Sequence, residues 1–390
     1  MKQGRVKIAQ VITRMDRGGA PDIVRSICES LSDRYEITLI TGLSRNPDSR
    51  TVSFLEKFKG NVITAAALRR NINPLMDMAA FVQLFLIFRR GRFDIVHTHT
   101  SKAGFIGRLA ARLAGTKNII YMPHGHVFYG YFNRAVSCIF LWLERLAGVF
   151  TDRIVALTEL EKRDLADSGV LAPDKIEIIS SGIDTDRKEI SDKDRIRKKN
   201  EFSVNPDERL VVMAGRLEAV KGPGVFLECA LVLLEEFDDV KFLAAGDGSL
   251  KSELTAQCRE LGISKSFIFA GWREDIFDIL AMSDVVVLPS LNEAVGRVLL
   301  EAGICGIPAV ASRVGGVPEI ISDRQTGILV EPSDAVGMAE AVSYLLRHKD
   351  VRIGMGQAAR ERVSALFSES SMIAGFDELY SGILQRTENR

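Results

Sequence analysis

The chain has 390 residues, 46% hydrophobic and 26% charged, with 32 glycines and 11 prolines; this balance excludes disordered, collagen-like and low-complexity proteins and suits two domains of ordinary size. Lys plus Arg and Asp plus Glu each number 51, which offers no net positive field for nucleic acid, yet residues 1–180 hold 26 basic against 17 acidic side chains. The five cysteines, Cys28, Cys138, Cys229, Cys258 and Cys305, lie far apart with no Cys-x-x-Cys pair, which argues against a disulfide framework or zinc ribbon and for reduced thiols in a cytoplasmic setting.

Short β-branched runs alternate with amphipathic segments along nearly the whole chain, the pattern of parallel sheets covered by helices on both faces. The basic start leads into an apolar run too short for a signal peptide, so it is read as the first strand. In the first half the predicted strands are residues 6–13, 36–41, 61–64, 94–99, 118–122, 153–157 and 175–179. Thr158-Glu-Leu-Glu161 opens one of the intervening helices as a capping box. The longest apolar helical stretches, near 78–88 and 135–143, fall short of the roughly 20 residues of a membrane span. The expected protein is therefore soluble, or at most peripheral.

From Ser180 to about Asp207 the pattern stops, and a mixed-charge run through Asp192, Asp194, Arg195, Arg197 and Lys199 is read as an interdomain connection. A second series of strands follows at 209–214, 240–245, 267–270, 285–288, 308–311 and 327–330, and residues 368–384 read as a final helix. The expected organisation is a first Rossmann-like domain over 1–182, a linker over 183–207, a second Rossmann-like domain over 208–367, and a C-terminal helix over 368–390 that crosses back to the first domain. Ligands of such α/β folds bind at the carboxyl ends of the strands.

The most informative segment is Pro289-Ser-Leu-Asn-Glu293-Ala-Val-Gly296-Arg297-Val298-Leu-Leu-Glu301. If Gly296 opens a helix, the first amides, of Gly296, Arg297 and Val298, face the positive end of the dipole and suit a phosphate. Glu293 and Glu301 would then stand up to about 12 Å apart. That is wider than a glycosidase pair and suits the two ends of one extended ligand. Upstream, Gly215-Arg216-Leu-Glu-Ala-Val-Lys221-Gly222 follows a strand, and an arginine fork with a lysine point charge suits a diphosphate leaving group without a metal. Asp184-Thr-Asp186 and Asp192-Lys-Asp194 have metal-motif spacing but fall in the connection and are discounted. Gly246-Asp-Gly248, Gly271-Trp272-Arg273 and Gly315-Gly316 each follow a strand, and in the first half so does Arg17-Gly18-Gly19, where backbone could approach a phosphate or sugar. His97-Thr-His99 and His124-Gly-His126 end two strands and have no further partner with metal-ligand spacing, so no metal site is expected.

The Glu293–Glu301 segment resembles the Glu-x7-Glu signature of the retaining glycosyltransferases of family 4, or group 1, and Gly215–Gly222 is similar to their Gly-Arg-Leu-x3-Lys-Gly motif. The resemblance implies the GT-B fold, two Rossmann-like doubly wound α/β domains facing across a cleft. It implies donor-sugar contacts for Glu293, ribose contacts for Glu301, and diphosphate contacts for Arg216 and Lys221. Gly18, Gly19, Gly246, Arg273, Gly296, Arg297 and Val298 are carried over as further donor-binding positions. His124 is carried over as a catalytic residue facing the donor sugar, with His99 and Lys102 as lesser candidates. Two departures stand out: Glu-Ala-Val-Gly at 293–296 replaces the usual Glu-Gly-Phe-Gly, and Pro21 and Asp22 replace the Glu-Arg that commonly follows the paired glycines.

Apolar stretches beside basic residues, at 81–92 and 127–143, suit either a buried helix or a seat on an anionic bilayer. The resulting expectation is a metal-independent retaining hexosyltransferase, with no cofactor. A nucleotide sugar, UDP-linked before GDP-mannose, would be the donor, and a polyprenyl-phosphate-linked or polysaccharide precursor the acceptor, at the inner face of the cytoplasmic membrane. The rivals are a nucleotide-sugar epimerase on the same fold and a non-catalytic sugar-nucleotide-binding protein.

Overall fold

A computed structural model of the protein describes residues 5–44, 47–125, 134–186 and 190–388. The chain divides into two compact units, Met1–Gly182 with Glu369–Arg390, and Ile183–Ser368. In the first unit the order is β1 (Lys7–Ile12), α1 (Gly19–Leu31), β2 (Glu36–Thr41), α2 (Ser49–Lys57), β3 (Asn61–Thr64), α3 (Pro74–Gly91), β4 (Ile95–His99), α4 (Ser101–Ala114), β5 (Asn118–Met122), α5 (Arg134–Gly148), β6 (Arg153–Ala156), α6 (Glu159–Asp167) and β7 (Ile176–Ile178). The second unit runs α7 (Asp192–Glu201), β8 (Arg209–Ala214), α8 (Pro223–Glu236), β9 (Val240–Ala245), α9 (Lys251–Glu260), β10 (Phe267–Gly271), α10 (Ile276–Ala281), β11 (Val285–Leu288), α11 (Arg297–Ile304), β12 (Ala309–Ser312), α12 (Val317–Ile320), β13 (Gly327–Val330), α13 (Ala335–Arg347) and α14 (Lys349–Leu366). The final helix, α15 (Glu369–Glu388), belongs to the first unit and packs on α1.

Both sheets are parallel. Their strand orders are β3-β2-β1-β4-β5-β6-β7 and β10-β9-β8-β11-β12-β13. Each unit is thus doubly wound, and each has one point where the order reverses, between β1 and β4 and between β8 and β11. Chain crossovers leave on opposite sides there, which opens a crevice at the carboxyl ends of the strands. The thirteen strands among the described residues coincide with the runs predicted from β-branched content, because strands buried on both faces need continuous apolar sequence. The second core gathers Phe226, Phe242 and Phe267 with Val211, Met213 and Leu345, all buried.

One stretch departs from the reading of the sequence. The charged run placed in a connection over 183–207 is helical as α7, within the second unit. It buries no residue and so carries no apolar period to detect. Its helix is stabilised at the ends instead. Ser191 accepts from the Asp194 amide at 3.2 Å, acidic Asp192 and Asp194 sit in the first turn, and Lys198 and Lys199 in the last.

In the first unit a buried ion pair ties α4 to α5. Arg108, fully buried, donates to Glu144, to the Gly104 carbonyl at 2.9 Å and to Thr151 Oγ1 at 3.3 Å, and lies 3.8 Å over the Tyr121 ring. The Tyr121 hydroxyl donates to the other Glu144 oxygen at 3.0 Å. Removing one partner of such a pair leaves a buried charge uncompensated, so Glu144→Leu should cost about 3–5 kcal/mol of stability, measured by denaturant unfolding. A loss below about 1 kcal/mol would show that α5 does not depend on the pair.

Candidate active site

The site in the second unit is assembled by four loops that leave the strand ends around the β8/β11 reversal. The loop after β8 carries Arg216 and Lys221, and the loop after β11 carries Ser290 and Glu293. They are joined backbone to backbone, Leu291 N donating to Val220 O at 2.8 Å. They are also joined side chain to side chain, Lys221 Nζ forming an ion pair with Glu293 Oε1. Gly222 makes this approach feasible, since a Cβ there would lie 2.0 Å from the Pro289 carbonyl oxygen. From the far side the loop after β12 closes in. Gly316 N donates to Glu293 O at 3.1 Å, and a Cβ on Gly315 would lie 1.7 Å from that same oxygen. The loop after β9, with Gly246, is held to the β8 loop by Leu217 N donating to Asp247 O at 3.0 Å.

Within this frame Glu293 is 7% exposed and accepts from the buried Ser290 hydroxyl at 2.8 Å as well as from Lys221. Gly296, in the left-handed conformation at φ 75°, caps α11, so the helix starts at Arg297 and then Val298. Glu301, half-buried, stands two turns further along at most. Arg216 is exposed on the β8 loop. The predicted residues Lys221, Glu293, Gly296, Arg297, Val298 and Glu301 are therefore brought together, and Arg216 and Gly246 lie on loops tied to them. Chemically this is a junction of loops at a helix start, with one carboxylate held by a lysine and a serine and with Arg216 and Arg297 on the same segments. Such a set can hold a diphosphate and address hydroxyl groups.

Arg273 is engaged elsewhere. Its guanidinium pairs with Asp275 and Glu201 at 2.6 Å each and lies over the Phe202 ring, fastening the loop after β10 to α7. Trp272 beside it is 39% exposed. Asp275, held by Arg273 and Lys198, is kept well below the usual carboxylate range. The discounted Asp-x-Asp pairs serve local structure, the Asp186 amide donating to Asp184 Oδ1 at 3.0 Å. Among the described residues no three His, Cys, Asp or Glu side chains gather as a metal site.

In the first unit the corresponding reversal lies between β1 and β4. Thr13, just past β1, and Thr100, just past β4, share a hydrogen bond of 2.9 Å between their hydroxyls. Thr100 and His124 both have positive φ, 66° and 58°. For a threonine this costs about 1–3 kcal/mol and persists only where the surroundings impose it. His99, at the end of β4, meets His124 Nε2 through its Nδ1 at 2.9 Å and Gln10 Oε1 through its Nε2 at 2.8 Å. Burial, then the nearby histidines, holds His99 well below its ordinary value, and burial takes His97 down to about 3. Gly18 is exposed and caps α1, which Gly19 opens. Lys102 pairs with Asp77 and donates to the Asn71 carbonyl, so it is directed towards α3. His126 and residues 127–133 lie outside the described residues.

Sequence reasoning missed Ser290, Gln10, Tyr380 and a second role of Glu161. The forward half of the capping box forms, with Glu161 N donating to Thr158 Oγ1 at 3.1 Å, while the Glu161 carboxylate reaches one residue further back and accepts from the Leu157 amide at 2.7 Å. Its other oxygen accepts from Gly125 N at 3.0 Å and so holds the His124 loop. Nothing in a helix-start motif signals that contact.

The apolar stretch on α3 is divided. Ala80, Leu84 and Phe88 enter the core, while Leu75, Met78, Val82 and Leu86 are exposed, with Arg89 and Arg90 after them. On α5 the exposed set is Ile139, Trp142 and Leu146, with Arg145 between. No helix among the described residues is long and apolar enough to cross a membrane.

Comparison with known proteins gives concordant matches. The family model described as glycosyl transferases group 1 matches residues 192–362, and that described as glycosyltransferase family 4 matches residues 17–187. The chain is 30% identical over 316 residues to the UDP-Gal:alpha-D-GlcNAc-diphosphoundecaprenol alpha-1,3-galactosyltransferase of Escherichia coli, covering 80% of this chain and 81% of that one. It is 26% identical over 403 residues to the D-inositol 3-phosphate glycosyltransferase of Corynebacterium jeikeium, covering 94% and 92%. Among solved structures, Anabaena HepE in complex with UDP-glucose has the same fold, with a TM-score of 0.81 and 21% identity over 96% of this chain and 99% of that one.

Two outcomes are expected from the geometry. Gly315→Ala would drive a Cβ into the Glu293 carbonyl at a positive φ, so it should lower stability by about 1–3 kcal/mol, which thermal unfolding checks. The neutral, buried His97 and His99 bind protons only after unfolding. Stability is therefore full above pH 6.5 and is lost as pH falls from there, towards about 3 for His97 and over a range well below 6.5 for His99, by up to about 1.4 kcal/mol per pH unit for each histidine. In urea unfolding, the loss between pH 7.5 and pH 5 should be smaller for His97→Gln than for the native chain.

Proposed function

Because the chain belongs to the glycosyltransferases of group 1 and family 4, we propose that it is a retaining hexosyltransferase. It moves a sugar from a UDP-linked donor to a lipid-linked or polysaccharide-precursor acceptor. The observation that carries this reading is the junction of the β8 and β11 loops, where Lys221 and Glu293 share an ion pair. The names of the relatives support it: one acts with UDP-Gal on a diphosphoundecaprenol-linked sugar, and a protein of like fold was crystallised with UDP-glucose.

In this reading Arg216 and Lys221 neutralise the donor diphosphate, with the amides at the start of α11 alongside. Glu293 takes donor-sugar hydroxyls and Glu301 those of the ribose. His124 orients a sugar hydroxyl. The bond between the anomeric carbon and the β-phosphate oxygen breaks, its electron pair staying with the diphosphate. The acceptor hydroxyl forms the new bond on the face that the diphosphate leaves, and its proton passes to a leaving-phosphate oxygen. The charge that grows on the diphosphate is met by the two cations, which have no need of a metal for that purpose. Lys221 is already held in place by Glu293 and is half-buried, so it is positioned before a phosphate arrives.

We also propose a peripheral seat on anionic bilayer at the exposed apolar and basic faces of α3 and α5. Each Lys or Arg near such a surface contributes about 1 kcal/mol. In liposome flotation the protein should co-float with vesicles containing anionic lipid and stay behind with zwitterionic ones; equal recovery would count against the seat.

Turnover of UDP-sugars tests the central reading. UDP should be released only when an acceptor is present. Glu293→Gln and Arg216→Ala should each reduce kcat by at least a hundredfold with thermal unfolding unchanged within a few degrees. Full rates in both variants would refute the assignment, and a sugar altered without an acceptor would indicate an epimerase.

A further inference from the structure

Tyr380, Gln10, His99 and His124 form a continuous chain of hydrogen bonds through the first unit. Tyr380 lies on α15, Gln10 on β1, His99 at the end of β4 and His124 two residues past β5. The Gln10 amide nitrogen donates to the Tyr380 oxygen at 2.8 Å, and the Gln10 carbonyl oxygen meets His99 Nε2 at 2.8 Å. His99 Nδ1 then meets His124 Nε2 at 2.9 Å. The Tyr380 oxygen also meets His97 Nδ1 at 2.8 Å. Gln10, His99 and Tyr380 are fully buried, and the chain reaches the half-buried His124 at its end.

The protons follow from the chemistry of the amide. A carbonyl oxygen can only accept, so His99 Nε2 must carry a hydrogen. His99 is kept neutral by burial, so its Nδ1 holds a lone pair and must accept from His124 Nε2. The Tyr380 oxygen, which accepts from Gln10, also meets His97 Nδ1, in the direction that the His97 tautomer sets. A half-turn of the Gln10 amide would reverse the donations along Tyr380, His99 and His124. Its orientation is the setting on which the His99 tautomer and the donation from His124 depend, and Tyr380 anchors the amide from the other end.

We infer that Gln10 and Tyr380 are positioning residues. They hold His99 as the Nε2–H tautomer, which accepts from His124 Nε2–H and so fixes the orientation of the His124 ring. The consequence for catalysis rests on the proposed role of His124; the tautomers do not. Tyr380 lies 370 residues from Gln10 in the chain, so α15 contributes to the site from the far end of the sequence.

The test reads tautomers and turnover separately. Long-range proton–nitrogen correlation spectra of the nitrogen-15 histidine-labelled full chain should show His99 protonated at Nε2 and bare at Nδ1. Gln10→Met and Tyr380→Phe should each replace that pattern by averaged nitrogen shifts. With UDP-sugar and acceptor, both should reduce kcat about tenfold while KM for the donor stays within about twofold, a part of the 10²–10⁴ that a positioned histidine contributes. Tyr380→Phe keeps the packed ring and serves where Gln10→Met does not fold. His99 protonated at Nδ1 in the native chain, an unchanged tautomer in the variants, or a changed tautomer at full kcat would each overturn the inference. Full activity of His124→Ala would overturn the catalytic role assigned to His124 and leave the tautomer result standing.

Discussion

A lysine and a glutamate 72 residues apart share an ion pair in the second unit, and the arrangement of the candidate site depends on that meeting. Two oppositely charged side chains on separate loops would stay apart unless the backbone brought them within reach. Here it does so through positions where a side chain has no room, Gly222 against Pro289 and Gly315 against Glu293. The hydrogen bonds Leu291 to Val220 and Gly316 to Glu293 then fix the register of the three loops. Glu293 is consequently held from four directions, by Lys221, Ser290, the Gly316 amide and its own place before α11. With its backbone fixed and its carboxylate held by Lys221 and Ser290, Glu293 loses little entropy on meeting a ligand, which is what a binding group requires.

The two units solve the same topological problem with different chemistry. Both are parallel sheets whose strand order reverses once, and in both the polar side chains gather at the strand ends beside the reversal. In the second unit they are charged, a lysine paired with a glutamate beside the start of α11. In the first they are neutral, buried histidines, held in place by a hydroxyl pair at Thr13 and Thr100 and by the Glu161 carboxylate under Gly125. Charge is concentrated where a diphosphate is proposed to bind, and uncharged hydrogen-bonding groups where a sugar hydroxyl is.

The strands were legible in the sequence because doubly covered parallel strands need unbroken apolar runs, and runs such as Leu210 to Met213 or Val285 to Leu288 leave no alternative. The meeting of the 215–222 and 293–301 segments was also legible, since cations and a helix-opening glycine after strands imply anion chemistry at one sheet edge. Other features left no trace. Helix α7 buries nothing, so it lacks the period by which helices are recognised. Arg273 follows a strand as a ligand-binding cation would, yet its charge is taken by Asp275 beside it and by Glu201 from another helix. Gln10 sits in a strand as an ordinary polar exception, and only the fold brings Tyr380 to it.

If the β8 and β11 loops form a single nucleotide-sugar site, a crystal structure of the protein with UDP will show it most directly. The diphosphate should lie against Arg216, Lys221 and the first amides of α11, with the ribose at Glu301. A nucleotide seated elsewhere in the molecule, with the Lys221–Glu293 pair untouched, would contradict it.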